Sequence, residues 1–162
     1  MQITSIIENT SNKGLHIEHG LSLYIRKDDG QKVLFDMGLS GMFVSNAESL
    51  GLSIADIDVA VISHGHYDHG GGLKTFLLEN DKADVFIHKD AFQPHYSLRD
   101  TGLRFIGIDA DWAAFDRLVF CDKKTEINDT MTLFADVQGR RDHQRGDLRG
   151  GHERLEVDSG GQ

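Results

Sequence analysis

Val59-Ala60-Val61-Ile62-Ser63-His64-Gly65-His66-Tyr67-Asp68-His69-Gly70-Gly71-Gly72 carries both the structural and the chemical signal of this chain. Its first four residues form a short apolar run with no polar face, which predicts a buried strand. Four potential metal ligands follow within six residues, at the carboxyl end of that strand, where sites form in α/β sheets. Imidazole nitrogens and one carboxylate are the donor set that a borderline ion such as Zn²⁺ prefers. The glycines let the backbone turn tightly, so side chains close in sequence can converge on one small volume. His64 and His66, two apart, can reach one ion from an extended segment, and Asp68 and His69 can face a second. The competing reading is a surface loop rich in histidine by accident, and four donors in six residues argue against it.

The flanking segments alternate strand and helix signals. Residues 2–7, 21–26 and 32–35 read as short strands, with Asp28-Asp29-Gly30 as the turn between the second and third. Phe43, Ala47 and Leu50 recur at helical spacing, and Gly51 closes that helix. Ser53 and Asp56 are spaced as a capping box for one more helical turn. After the histidine-rich stretch come a short helix at 73–79 and strands at 85–87, 103–108, 118–120 and 131–134. This order predicts an α/β layered fold without internal repeats. Trp112 and Phe115 read as core residues beside a short helix, and Cys121 as a buried, inert thiol. His88, at a strand end, reads as a hydrogen-bonded structural residue within approach of the site. His95, after Pro94 and beside Tyr96, reads as a surface residue.

His64-x-His66-x-Asp68-His69 followed by glycines resembles the HxHxDH signature of the metallo-β-lactamase superfamily. Leu34-Phe35-Asp36-Met37-Gly38 is similar to the strand-end motif that precedes that signature in the superfamily. His16-Ile17-Glu18-His19-Gly20-Leu21-Ser22, the string from Ser63 to Leu73, and Ile87-His88-Lys89-Asp90-Ala91-Phe92 resemble one subgroup. That subgroup centres on dihydropterin–ribofuranosylaminobenzene phosphate synthase, a methanopterin-pathway transferase, and has many hydrolase-like members. The resemblance covers about residues 1–138. It implies an αββα sandwich, of which this chain would be the first half only, with a metal pair at one edge of the sheets. It places His64 and His66 on the first Zn²⁺ and Asp68 and His69 on the second. Asp36 would lie beneath them and fix the loop or a ligand histidine. His19 would line the substrate pocket, with a turn-stabilising role as the alternative, and Asp68 would be catalytic, holding metal and orienting water. A histidine at position 66, rather than a glutamate, favours zinc hydrolytic chemistry over di-iron oxygen chemistry. Superfamily members complete each metal with ligands from the second half of the domain, and no Gly-Cys-Ser-His type string is present here. Two protein donors per ion then fall short of the three or four that zinc takes. One or two Zn²⁺ are therefore expected, the second site incomplete. The function implied is metal-activated hydrolase-like or transferase-like chemistry on a small molecule, the alternative being an inactive metal-binding fragment or binding module.

The chain has 162 residues, with 26 acidic and 17 basic side chains and a formal charge of −9. That length suits one domain. The acidic balance argues against a nucleic-acid surface, which needs clustered Lys and Arg. One cysteine excludes an internal disulfide and fits a reducing, cytoplasmic compartment, and no apolar run approaches a membrane span. Residues 139–162 differ from the rest: five arginines, no lysine, six glycines and no aromatic. With Leu148, Leu155 and Val157 as the only sizeable aliphatics, this segment is expected to be a flexible or out-of-frame tail in which neither His143 nor His152 supplies a ligand. A half-domain would also leave one apolar face of strand 59–62 uncovered, so self-association or a covering partner is expected.

Overall fold

The computed structural model describes residues 1–11 and 13–135. The expectations for 139–162, His143 and His152 lie outside the described residues. The chain opens with an antiparallel meander of β1 (Gln2–Ile7), β2 (Ser22–Arg26) and β3 (Lys32–Phe35). The β2–β3 turn is closed by a bond from the Lys27 amide to the Gln31 carbonyl, with Gly30 at φ 88°. Helix α1 (Met42–Ser49) leads to β4 (Val59–Ile62), which pairs parallel to β3. The short α2 (Tyr67–Gly70) and α3 (Leu73–Glu79) then precede β5 (Asp84–His88). A separate hairpin, β6 (Tyr96–Arg99) and β7 (Gly102–Phe105), and a 3₁₀ turn at Ala110–Ala114 intervene before β8 (Leu118–Cys121). The hairpin β9 (Lys124–Asn128) and β10 (Met131–Phe134) ends the described chain. The main sheet has the order β1-β2-β3-β4-β5-β8, its last four strands parallel.

Parallel strands joined by helical crossovers put their carboxyl ends along one edge. That edge carries Asp36 after β3, Ser63 to His69 after β4, and His88 closing β5. Phe43 and Ala47 of α1 and Leu73 and Phe76 of α3 pack on Leu34, Ala60, Ile62, Val85 and Ile87 to form the main core. Phe43 and Phe76 are fully buried, a burial that contributes roughly 1.5–3 kcal/mol each.

The opposite face of the sheet corrects an expectation. Val59 and Val61 do not present an adhesive surface: every residue of β4 is buried. Val33, Val59, Val61, Phe86 and Cys121 form a second core, against which Ile127 of β9 and Met131 and Leu133 of β10 pack. The alternation of β9 and β10 turns these apolar residues toward the sheet, so the chain covers that face itself.

Two local expectations also change. Residues 103–108 are not one strand of the main sheet, because the ladder with β6 stops at Phe105. Residues 53–57 make a tight turn through backbone bonds, Ile57 to the Ile54 carbonyl at 3.1 Å among them, rather than a capped helical turn. Trp112 and Phe115 are half-buried against the main core, and Cys121 is buried and free, both as expected.

Candidate metal centre

Asp36 organises the site from below. Its amide donates to the Val61 carbonyl at 2.8 Å, which ties the end of β3 to the end of β4. Its backbone then takes φ 60°, a left-handed conformation costing a non-glycine residue on the order of 1–3 kcal/mol. That turn directs a fully buried carboxylate back under the loop. Oδ1 accepts from the Ser63 amide at 2.7 Å, and Oδ2 accepts from the Ser63 hydroxyl at 2.8 Å and from His69 Nδ1 at 2.7 Å. The His69 carbonyl in turn accepts from the Met37 amide at 2.8 Å. Three bonds to one ionised group offset the backbone strain and fix the position of His69.

These bonds also decide which ring nitrogens are free. The Ser63 hydroxyl spends its single proton on Asp36, so it accepts from His64 Nδ1, 2.9 Å away. His64 and His69 therefore both carry their proton on Nδ1 and present Nε2 as a lone pair. His64 Nε2 lies 3.1 Å from His66 Nδ1, and the His64 and His69 ring centroids are 4.2 Å apart. Asp68 Oδ2 stands 3.7 Å from His69 Nε2 and 3.2 Å from His19 Nε2. The structure thus brings together His64, His66, Asp68, His69, Asp36 and His19.

The donor set suits a metal ion. Two donors about 2.0–2.1 Å from a tetrahedral zinc stand roughly 3.3 Å from each other. The 3.1 Å and 3.7 Å donor pairs bracket that spacing. Among the described residues, no three His, Cys, Asp or Glu side chains already close on a single point. The donors stand as pairs.

Electrostatics divide the rings. Burial lowers the pKa of His64, and the neighbouring His69 and His66 lower it further. Burial likewise lowers that of His66, with His95 adding to the effect. The hydrogen bond to Asp36 raises that of His69. Nuclear magnetic resonance titration of the chelator-treated chain is expected to give midpoints below 6.5 for His64 and His66 and above it for His69. Midpoints in the reverse order would contradict the Asp36 bond to His69 and the burial of the other two rings. The stability consequence has two signs. His69 adds stability that is fully present below about 6.5 and is lost as pH rises through its raised folded value. For His64 and His66 the unfolded rings bind protons first, so their contribution is present above about 6.5 and falls as pH drops toward their lowered values.

His95 is not a surface residue. Its Nε2 is buried without a hydrogen-bond partner among the described residues, and its ring meets His66 edge-on at 5.4 Å between centroids. The β6–β7 hairpin folds it there. Residues 106–108 leave the ladder and bond to the His95 carbonyl, the Tyr67 amide and the Gly65 carbonyl. No spacing in the sequence marks that fold-back. His88 accepts from the Asp90 amide through Nδ1 at 3.2 Å, while its Nε2 is buried and unpartnered among the described residues. A cavity of about 390 Å³ opens beside the histidine-rich loop, walled by Leu39, Tyr67, Phe105, Asp109 and Trp112. A larger one, about 710 Å³, lies along β1 and residues 8–16, away from the clustered imidazoles.

Similarity to known proteins runs through the same residues. The sequence profile of the metallo-beta-lactamase superfamily matches residues 18–157. An uncharacterized protein of Methanocaldococcus jannaschii is 37% identical over 111 residues, covering 67% of this chain and 41% of its own. From the same organism, 7,8-dihydropterin-6-methyl-4-(beta-D-ribofuranosyl)-aminobenzene-5'-phosphate synthase is 29% identical over 85 residues, 49% of this chain and 29% of its own. The crystal structure of Tm1679, a metal-dependent hydrolase of the beta-lactamase superfamily, superposes with a TM-score of 0.62 at 31% identity, covering 82% of this chain and 46% of that one. The chain therefore spans less than half the length of each of these relatives.

Proposed function

This chain belongs to the metallo-beta-lactamase superfamily, a family of hydrolase-like enzymes, and from that premise we propose that it carries out Zn²⁺-dependent hydrolysis of a small-molecule substrate. The observation that carries the reading is the pairing of His64 Nε2 with His66 Nδ1 at 3.1 Å above a buried Asp36 that fixes His69. His64 and His66 would hold one ion, and Asp68 and His69 would contribute to a second. A bound zinc supplies a hydroxide near neutral pH by lowering the pKa of its water to roughly 7. The chain's own groups do the rest. The low proton affinity of His64 and His66 keeps both rings neutral and available as donors. Asp68, 14% exposed at the open side of the loop, orients water and accepts its proton. The aromatic walls of the adjacent cavity receive the apolar part of a substrate. Among the described residues no helix is long and apolar enough to cross a membrane.

Transfer to an acceptor other than water is the second reading, supported by the 29% identity to the pterin-related synthase. One set of measurements covers both. Protein purified without chelator is expected to hold at least one equivalent of zinc, and His66→Ala to lose the share bound through His64 and His66. Hydrolysis of generic phosphodiester, lactam and thioester substrates is expected to fall at least a hundredfold in the same variant. Metal below a tenth of an equivalent in the unaltered chain would overturn the metal reading. Zinc binding with no turnover on any substrate would overturn hydrolysis and favour transfer or a binding module.

A further inference from the structure

We propose that His19 is a metal-ligating residue, forming with Asp68 and His69 a three-donor set for the second ion; this rests on the metal reading above. His19 Nδ1 is hydrogen-bonded to Asn9 Oδ1 at 2.9 Å, as His69 Nδ1 is to Asp36 Oδ2 at 2.7 Å. Each ring spends its Nδ1 proton on an oxygen, and each turns Nε2 toward the same atom, Asp68 Oδ2, at 3.2 Å and 3.7 Å. A neutral imidazole nitrogen facing a carboxylate oxygen at 3.2 Å is repulsive unless a proton or a metal ion lies between them. Two imidazoles converge on this one oxygen, and a single metal ion would engage both. The outer hydrogen bond from Nδ1 to an oxygen is also how proteins hold histidines that ligate metal through the other nitrogen.

The donor count supports the assignment. Asp68 and His69 alone give two protein donors where zinc takes three or four, and His19 brings the number to three. The segment that carries His19 is clamped on both sides. Glu18 accepts from the Leu39 and Ser40 amides at 2.9 Å and 3.1 Å and from the Ser40 hydroxyl at 2.7 Å. Gly20 sits directly against the Asp68 carbonyl. The His19 side chain itself is 69% exposed, which leaves its ring room to close on an ion. A simple exposed ion pair of His19 with Asp68 is the competing explanation, and solvent screening keeps such a pair weak.

Calorimetric titration of the chelator-treated full chain with Zn²⁺ at pH 7.5, and visible absorption of the Co²⁺-loaded chain, separate the two. His19→Ala and His19→Gln are each expected to weaken one bound ion at least tenfold and to alter the Co²⁺ absorption. His64→Ala weakens the other ion. Glutamine can still donate to Asp68 but is a poor metal ligand. Unaltered binding in His19→Gln would therefore overturn the proposal in favour of the hydrogen bond. Unaltered binding in His19→Ala would overturn it outright while the metal reading stood. If the unsubstituted chain bound neither metal, the metal reading itself would fall, and this inference with it.

Discussion

Asp36→Asn is expected to lower the affinity of the chain for Zn²⁺ about 10- to 100-fold, the range found when a group that orients a ligand is lost, while leaving it folded. The asparagine oxygen can keep the bond to the Ser63 amide, so the loop retains its anchor. The amide nitrogen then faces His69 Nδ1, where two donors cannot bond. His69 must move its proton to Nε2, the nitrogen that points at Asp68, and so loses its free lone pair. The raised pKa of His69 should disappear at the same time, because its largest cause is the Asp36 bond. Asp36→Ala goes further, leaving the partly buried Ser63 and His69 donors without their shared acceptor, at about 1–3 kcal/mol. Zinc titration, thermal unfolding and the His69 resonance together read out all three effects. Wild-type zinc affinity in Asp36→Asn would mean that Asp36 only braces the loop and sets no tautomer.

Much of this arrangement is legible in the order of the residues themselves. The apolar run at 59–62, followed at once by His64, His66, Asp68 and His69, locates a strand end and its donors together. Asp36 is legible through the resemblance of residues 34–38 to the strand-end motif of the superfamily. Parallel register then sets Phe35 opposite Val61 and brings the two strand ends together. The meander at the start and helix α3 follow from turn residues and spacing. The β6–β7 hairpin does not. Leu98 and Leu103 are exposed on it, so its apolar residues mark no buried face, and with four apolar residues in six Leu103 to Ile108 read as one continuing strand. Only long-range bonds from residues 106–108 to the histidine-rich loop end that strand and bring His95 to His66. The β9 strand is hidden for a related reason. Lys124, Glu126 and Asn128 are exposed, and only Thr125 and Ile127 turn toward the core side. Two inward residues are too short a pattern to separate from a loop, yet they help cover the face expected to be open.

Gly20→Ala is expected to destabilise the chain by about 2–5 kcal/mol. Two costs coincide there. The residue has φ 136°, a region that side-chain-bearing residues rarely adopt, and an added Cβ would meet the Asp68 carbonyl oxygen at 2.0 Å and its carbon at 3.0 Å. Both are backbone atoms of the short helix α2, so no rotamer relieves the contact. The strand that begins two residues later is coupled to Asp36 through a buried bond from the Ser22 hydroxyl to the Asp36 carbonyl at 2.7 Å. The Gly38 amide donates to the Leu21 carbonyl at 2.9 Å, a second link between the same segments. Pushing residue 20 outward therefore strains the turn that aims the Asp36 carboxylate and moves His19 away from Asp68. A fall in melting temperature on the order of 5–15 °C is expected, with weaker zinc binding in the fraction that folds. Gly30→Ala is the matched control. Gly30 also has positive φ, 88°, but an added Cβ there meets nothing within 4 Å. It should show the conformational cost alone, about 1 kcal/mol, with zinc affinity unchanged. Equal losses in the two variants would mean that backbone conformation, and not the close approach to Asp68, is what requires glycine at position 20.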